Sequence, residues 1–429
     1  MIYPATLEAW LQQLEARNRD PIVLGLDRVA QVRDRLGLSP EIPVITVGGT
    51  NGKGSVCAYL EAILTAANLH VGCYTSPHLL RYNERVRIAG REATDTELCA
   101  AFAAVEDARH EGMPYPVPLT YFEHGTLAAM WLFQHAGLDA LVLEVGLGGR
   151  LDAVNAWSAD CAVVTSVDLD HQQFLGETRG EIGFEKAGIY RTGRPAICGD
   201  SDPPFSLLAH ADAIGAQMLR IGEGIRVEIN EVGWTCRVGS NAYPALPRLA
   251  MPGRHQYANA ACAVAALWSL RSRLPVSMNA FRAGLASARQ TARFQIIGHQ
   301  PMRILDVAHN PHAARALADN LADLPPSGKC IAVFAMLADK DVASVIQALR
   351  SRIRHWHVAG LNLPRGLDAE SLAVALRDAG CDCERHGSVP EAWRAACLQA
   401  EPADTILAFG SFHTVAEVMA AVNGAETHS

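Results

Sequence analysis

The stretch Thr46-Val47-Gly48-Gly49-Thr50-Asn51-Gly52-Lys53-Gly54-Ser55 carries the densest chemistry in the chain. It joins a short β-branched run to a helical pattern, so it should link a strand to a helix. Glycines let backbone amides turn inward around an anion. The helix N-terminus adds the positive end of its dipole, and Lys53 adds a mobile charge for outer phosphates. The fit to the phosphate loop G-x-x-x-x-G-K-[ST] is imperfect. Val47 stands where the first glycine would be, and Gly54 displaces the hydroxyl to Ser55. A glycine-rich turn with a surface lysine is the plain alternative. Strand, loop, Gly-Lys and helix occurring together argue against it.

Other polar clusters follow expected strands. Thr75-Ser76-Pro77-His78, the run from Glu144 through Gly146, Gly148, Gly149 and Arg150 to Asp152, and Asp168-Leu169-Asp170-His171 each have this position. In a parallel sheet the strand C-termini share one edge, where ligands bind. Taken singly, Ser76 reads as a helix cap, Glu144 as an arginine partner, His171 as a core histidine and Asp152 as a turn residue. Their shared position beside a phosphate loop favours function for Ser76, Glu144 and His171. Hydroxyl, carboxylate and imidazole, with phosphate oxygens and water, can complete a Mg²⁺ shell. By composition alone, Lys186 is a solvated helix lysine. Asp306-Val307-Ala308-His309-Asn310-Pro311 and Gly410-Ser411-Phe412-His413-Thr414 also follow strands, at a second ligand edge that could face the first domain across a cleft.

The elements that must position these residues read as an α/β chain. Strands are expected at 43–47, 70–74, 140–144 and 161–167, with helices at 53–67, 95–111, 121–135 and 257–271. This order implies a parallel sheet covered on both faces. Alternation between Gly222 and Val238 predicts a small antiparallel hairpin region. A boundary is expected near 292–301, and a fresh, Rossmann-like α/β series begins at Arg303. The domains are therefore expected at residues 1–296, a P-loop ATPase domain, and 297–429, a smaller C-terminal domain.

Composition narrows the class. The 429 residues are 49% hydrophobic and 19% charged, the balance of a globular chain with a large core. With 37 Lys and Arg against 45 Asp and Glu, the net charge is −8, so nucleic acid and anionic membranes are not expected partners. Phosphate must be held by local features. The 11 cysteines are odd in number and scattered, which fits a reducing compartment. No basic-then-apolar leader follows Met1, and no apolar run approaches the roughly 20 residues of a span. A cytoplasmic monomer is expected.

Taken in chain order, Gly49-Thr50-Asn51-Gly52-Lys53-Gly54-Ser55, Thr75-Ser76-Pro77-His78-Leu79, the Glu144–Ala153 run, Glu185-Lys186-Ala187-Gly188-Ile189 and the Asp306–Pro311 run resemble the folylpolyglutamate synthase family of Mur-type ligases, in its bifunctional branch. The resemblance spans nearly the whole chain. It implies an ATP-dependent carboxylate–amine ligase that adds L-glutamate to dihydropteroate and to reduced folates through an acyl phosphate. It implies that Thr50, Asn51, Gly52, Lys53, Gly54 and Ser55 hold ATP phosphates, that Asn259 contacts the nucleotide, and that Arg293 and Asp306 make interdomain ATP contacts. Ser76, Glu144 and His171 would bind Mg²⁺. Lys186 matches a lysine carboxylated by CO₂, a ligand for a second Mg²⁺. Lys53, Lys186 and His309 are assigned to catalysis, and Ser411 to the glutamate side.

The pterin would lie against Ile22, Val23 and Leu24, against Thr120, Tyr121, Phe122 and Glu123, and against Leu151, Asp152 and Ala153. An aromatic pair with a polar neighbour suits a flat heterocycle, although Tyr121 and Phe122 also read as helix core. Two departures stand out. Val23 occupies a position that is often acidic in the family, and Gln290-Thr291-Ala292 replaces the Pro-Gly that commonly precedes Arg293. Folylpolyglutamate synthase activity alone is the nearest alternative. A nucleotide-binding switch without ligase chemistry is the alternative of another class, and a peptidoglycan-type ligase is a weaker enzyme reading.

Overall fold

A computed structural model of the protein describes residues 3–17, 22–112, 114–325 and 328–426. They form two compact units, one of residues 1–250 and 257–289, the other of residues 251–256 and 290–429.

The first unit is built on one mixed sheet. Its strands in chain order are β1 Val44–Gly48, β2 Val71–Tyr74, β3 Val86–Ile88, β4 Arg91–Glu92, β5 Ala140–Glu144, β6 Cys161–Val164, β7 Pro195–Cys198, β8 Gln217–Ile221, β9 Gly224–Ile229, β10 Gly233–Val238 and β11 Asn241–Pro247. Their spatial order is β11-β10-β9-β8-β7-β6-β1-β5-β2-β3-β4. The centre is parallel, with β1 between β5 and β6. Every residue of β1, β2, β5 and β6 is buried, as expected of strands covered on both faces. The register sets Val47 beside Glu144, Gly48 beside Val164 and Tyr74 beside Leu143. The ends of these strands, and the segments that follow them, therefore lie along one edge.

Helix starts are fixed by capping boxes. Thr94 with Glu97, Thr120 with Glu123 and Thr178 with Glu181 each exchange side-chain and backbone bonds, opening the helices Asp95–His110, Tyr121–Gln134 and Arg179–Ala187. Each such cap contributes about 1 kcal/mol. The core behind the sheet includes Trp10, Phe102, Leu127, Leu143 and Ile182.

Three details differ from the sequence expectation. The strand expected over 161–167 ends at Val164, beyond which the side chains of Thr165 and Ser166 bond the loop that follows β1. The hairpin gains a third antiparallel strand, β11. An edge hairpin, β3–β4, turns on Ala89 and Gly90, both in the left-handed region (φ 50° and 82°).

The second unit holds β12 Gln295–His299, β13 Met302–Leu305, β14 Cys330–Phe334, β15 His355–Ala359, β16 Cys383–His386 and β17 Thr405–Phe409, in the order β12-β13-β17-β14-β15-β16. All neighbours pair parallel except β12 and β13. The edge strand β12 falls where the sequence suggested only a boundary. A second core gathers Phe334, Trp356, Phe409 and Leu372. No helix among the described residues is long and apolar enough to cross a membrane.

Candidate active site

The glycine-rich loop 48–52, expected to cradle phosphate, is held by the segment after β6. Thr50 N donates to Ser166 O (2.8 Å) and Asn51 N to Ser166 Oγ (3.1 Å). Thr165 Oγ1 donates to Asn51 O (2.6 Å), and Thr50 Oγ1 both donates to Asp168 O and accepts from Asp168 N. Gly49 (φ 141°) and Gly52 (φ 87°) adopt positive φ, and Gly52 caps the helix Lys53–Ala66. A Cβ on Gly49 would meet Thr165 Oγ1 at 1.9 Å, and one on Gly52 would meet Asn259 Oδ1 at 2.6 Å. At these two positions the loop has no room for side chains, which leaves its backbone amides as the groups that could meet an anion. Asn259, about 200 residues away in sequence, borders it. Lys53 Nζ lies over the loop, donating to Gly49 O (3.1 Å) and Thr50 O (3.3 Å). Gly54 and Ser55 are buried in the first helical turn.

The neighbouring strand ends supply the metal-type donors. Ser76 N donates to Glu144 Oε2 (3.1 Å), so the loop after β2 is tied to the buried carboxylate at the end of β5. His171 takes a left-handed backbone (φ 51°) at the start of the helix Gln172–Leu175, with Nε2 3.9 Å from Asp170 Oδ1. Hydroxyl, carboxylate and imidazole fit the donor preferences of a divalent cation bound together with phosphate oxygens.

Lys186 is not solvated. It is 4% exposed near the end of Arg179–Ala187. Burial brings its ammonium down to about 7, helped by the Lys53 charge and opposed by Asp170 and Asp152. Burial likewise raises the Asp152 carboxyl to about 6, against hydrogen bonds from the amides of Leu147, Val154 and Gly146. The Glu144–Asp152 run is fastened to the lysine's helix. Arg150 N donates to Glu185 O (2.8 Å), its guanidinium pairs with Glu185, and a Cβ on Gly149 would lie 3.0 Å from Lys186 O. Sequence reasoning left Asp170 without a role, although its carboxylate interacts with both His171 and Lys186. The available signal was its place in a D-x-D-H run after a strand.

The segments expected on the pterin side also converge. Gly25 N donates to Leu151 O (3.3 Å), and Arg28 bridges Val23 O (2.7 Å) and the Glu123 carboxylate (2.7 Å). Ile22 and Leu24 are half-buried and Val23 is exposed. Ala153 is buried beside Asp152. Phe122 packs over Gly146, whose Cβ would meet the ring at 2.6 Å, and Tyr121 lies edge-on to Tyr82 with the Arg85 guanidinium 5.7 Å from its ring. The polar members are engaged structurally. Glu123 accepts from Thr120 N and Arg28, while Thr120 Oγ1 accepts from Glu123 N. Sequence reasoning missed Arg28 and Arg85, which lack a motif.

In the second unit, Asp306 accepts from Phe294 N and Ala308 N (both 2.7 Å). Burial raises its carboxyl, opposed by the Arg293 charge. Arg293 also lies 5.6 Å from the Phe412 ring, and His309 Nδ1 is 2.8 Å from Val307 O. Ser411 is buried with Oγ 2.6 Å from Thr414 Oγ1, so its hydroxyl is engaged at the start of the last helix.

Comparison with known proteins agrees with this geometry. Residues 47–267 match the Mur ligase middle domain and residues 292–412 the Mur ligase glutamate ligase domain. The dihydrofolate synthase/folylpolyglutamate synthase of Escherichia coli (strain K12) is 46% identical over 418 residues, covering 97% of this chain and 96% of that protein. The solved structure of E. coli FolC with DHPP and ADP aligns with TM-score 0.94 at 45% identity, covering 99% of this chain and 100% of that one. The bifunctional folylpolyglutamate synthase/dihydrofolate synthase of Yersinia pestis, complexed with AMPPNP and Mn ion, aligns with TM-score 0.91 at 46% identity, covering 99% and 100%.

Proposed function

This chain belongs to the Mur ligase family, in its dihydrofolate synthase/folylpolyglutamate synthase branch, and we propose that it joins L-glutamate to dihydropteroate and to reduced folates at the expense of ATP. A carboxylate is a poor electrophile. Its oxygen attacks the γ-phosphorus of ATP, ADP leaves, and the product is an acyl phosphate. The amine of L-glutamate then attacks the acyl carbon, phosphate leaves, and the nitrogen gives up a proton as the amide forms. Catalysis of such transfers is mostly positioning and charge neutralisation.

The residues divide accordingly. The amides of 49–53 and the Lys53 ammonium hold the phosphates, and Ser55 and Asn259 border them. Ser76, Glu144 and His171 would hold a divalent ion, which when bound neutralises charge on the phosphate oxygens. Arg293 and Asp306 act on the nucleotide, and His309 and Ser411 act on the glutamate side. The apolar faces of Tyr121 and Phe122, with Leu24 and Ala153, would flank the pterin.

Lys186 gives the reading its sharpest support. A buried amine brought down to about 7 has a neutral form available near neutral pH, and a neutral amine can attack CO₂. Starting from the neutral amine, the nitrogen–carbon bond forms, one carbon–oxygen π bond opens, one proton leaves to solvent, and the product is a carbamate that could hold a second divalent ion; starting from the ammonium, two protons leave in all.

The test is the acceptor. Purified protein with ATP, Mg²⁺ and L-glutamate should release phosphate with dihydropteroate and with a monoglutamated tetrahydrofolate. Silence with dihydropteroate alone would leave a folylpolyglutamate synthase. ATP turnover without glutamate incorporation would leave a nucleotide switch.

A further inference from the structure

We propose that His357, Glu384 and His386 form a binding site for a divalent transition-metal ion of the zinc class, built on the sheet of the second unit. The strands β15 and β16 run parallel, and their register pairs His357 with Glu384. Paired residues in a parallel ladder project from the same face, and His386 lies two residues beyond Glu384 on that face. Three donors are thus set on one face by backbone geometry. Their ligand atoms all lie within 4.8 Å of one another.

The surroundings prepare the donors. His357 is 2% exposed, and its Nε2 faces Gln399 Oε1 at 2.7 Å, at the end of the helix Val389–Gln399. An amide oxygen only accepts, so Nε2 carries the proton and Nδ1 presents its lone pair. That outer contact is the usual orienting partner of a metal-binding imidazole. Nδ1 faces His386 Nε2 at 2.9 Å and Glu384 Oε2 at 3.9 Å. Two Zn–N bonds of about 2.0 Å at the tetrahedral angle span roughly 3.3 Å, so a slight opening of the two rings would admit the ion. Two imidazoles and one carboxylate select zinc-class ions over Mg²⁺. The Glu384 side chain is 68% exposed, so the fourth position opens to water and the ion is exchangeable. None of the three ligands has a role in the ligase reading.

The competing arrangement is a simple ring–ring hydrogen bond, with His386 donating to His357. Full-length protein stripped by chelator is titrated with Zn²⁺ by calorimetry in saturating Mg²⁺, and separately with Co²⁺ by visible absorption. One equivalent of Zn²⁺ should bind, with Co²⁺ giving the intense bands of a four-coordinate nitrogen–oxygen site. His386→Ala, at a half-exposed residue, should abolish both signals and keep the wild-type melting curve without metal. Gln399→Ala should weaken zinc about 10-fold, and Lys53→Ala should leave it unchanged. No Zn²⁺ equivalent beyond Mg²⁺ competition, or an equivalent that survives in His386→Ala, overturns the site.

Discussion

Two loops of this protein need backbone that L-residues rarely adopt, and they obtain it differently. In the first unit the glycine-rich loop after β1 places glycine at both positive-φ positions, Gly49 and Gly52. In the second, the turn before β12 places Ala292 (φ 58°) and Phe294 (φ 46°) there. A left-handed non-glycine residue costs roughly 1–2 kcal/mol. The turn is imposed by its partners: Ala292 N donates to Gln295 Oε1, Val307 N donates to Ala292 O, and Phe294 N donates to Asp306. The difference lies in space. At Gly49 and Gly52 a Cβ would collide with Thr165 and Asn259, whereas the buried Ala292 methyl is accommodated. Glycine is thus demanded by crowding in one loop and is optional in the other.

The largest expected effect follows from that contrast. Gly49→Ala should lower ATP-dependent ligation by roughly 10²–10³-fold, the scale of losing backbone donors to developing charge. The collision with Thr165 should lower the melting temperature as well, so the rates are compared at a temperature where both proteins remain folded. ADP affinity by calorimetry and phosphate release check it. Activity within threefold of wild type would mean that the cradle tolerates a methyl and that the comparison is wrong.

A buried lysine sharpens the comparison, because it too is tolerated at a cost. Lys186→Met should reduce ligation by roughly 10²-fold, as expected for loss of a group acting on the reacting phosphates, while raising stability at neutral pH. The sign follows from linkage. The folded-state value is about 7 against 10.5 unfolded, so between those pH values the unfolded chain binds more protons and wild-type stability rises with pH. Below about 7 the fold carries the whole cost of burying the ammonium, on the order of a few kcal/mol. Urea melts from pH 6 to 10 in CO₂-depleted buffer should show this slope in wild type and not in Lys186→Met. Parallel curves would place the amine in water.

The gathering of the candidate residues was legible because they follow strand ends. Glu144, Ser76 and Lys53 could be brought together from strand order alone, since a parallel sheet delivers its C-termini to one edge. The strand, the glycine-rich turn and the helix opening at Lys53 were legible because β-branched residues, glycines and a helical pattern follow one another there. Arg28 and Arg85 were not, since they act through contacts with Glu123 and the Tyr121 ring that no spacing encodes. The edge strand β12 was hidden because Gly298 and Pro301 mimic a linker. The burial of Lys186 was invisible for a related reason: helical spacing gives a face, and only packing against the Glu144–Asp152 run says that this face is dry.

The smallest effect tests the second loop itself. Ala292→Gly should relieve the left-handed strain, while the added chain entropy and the lost buried methyl each take back several tenths of a kcal/mol. The net is stabilisation of at most about 1 kcal/mol, and ligation should stay within twofold of wild type. Denaturant melts of the two proteins, measured side by side, check it. A loss above about 1 kcal/mol would mean that the Ala292 methyl is a packing requirement. The turn would then be fixed by its core contacts, not by the bonds to Gln295, Val307 and Asp306, and the two loops would be alike in being dictated by space.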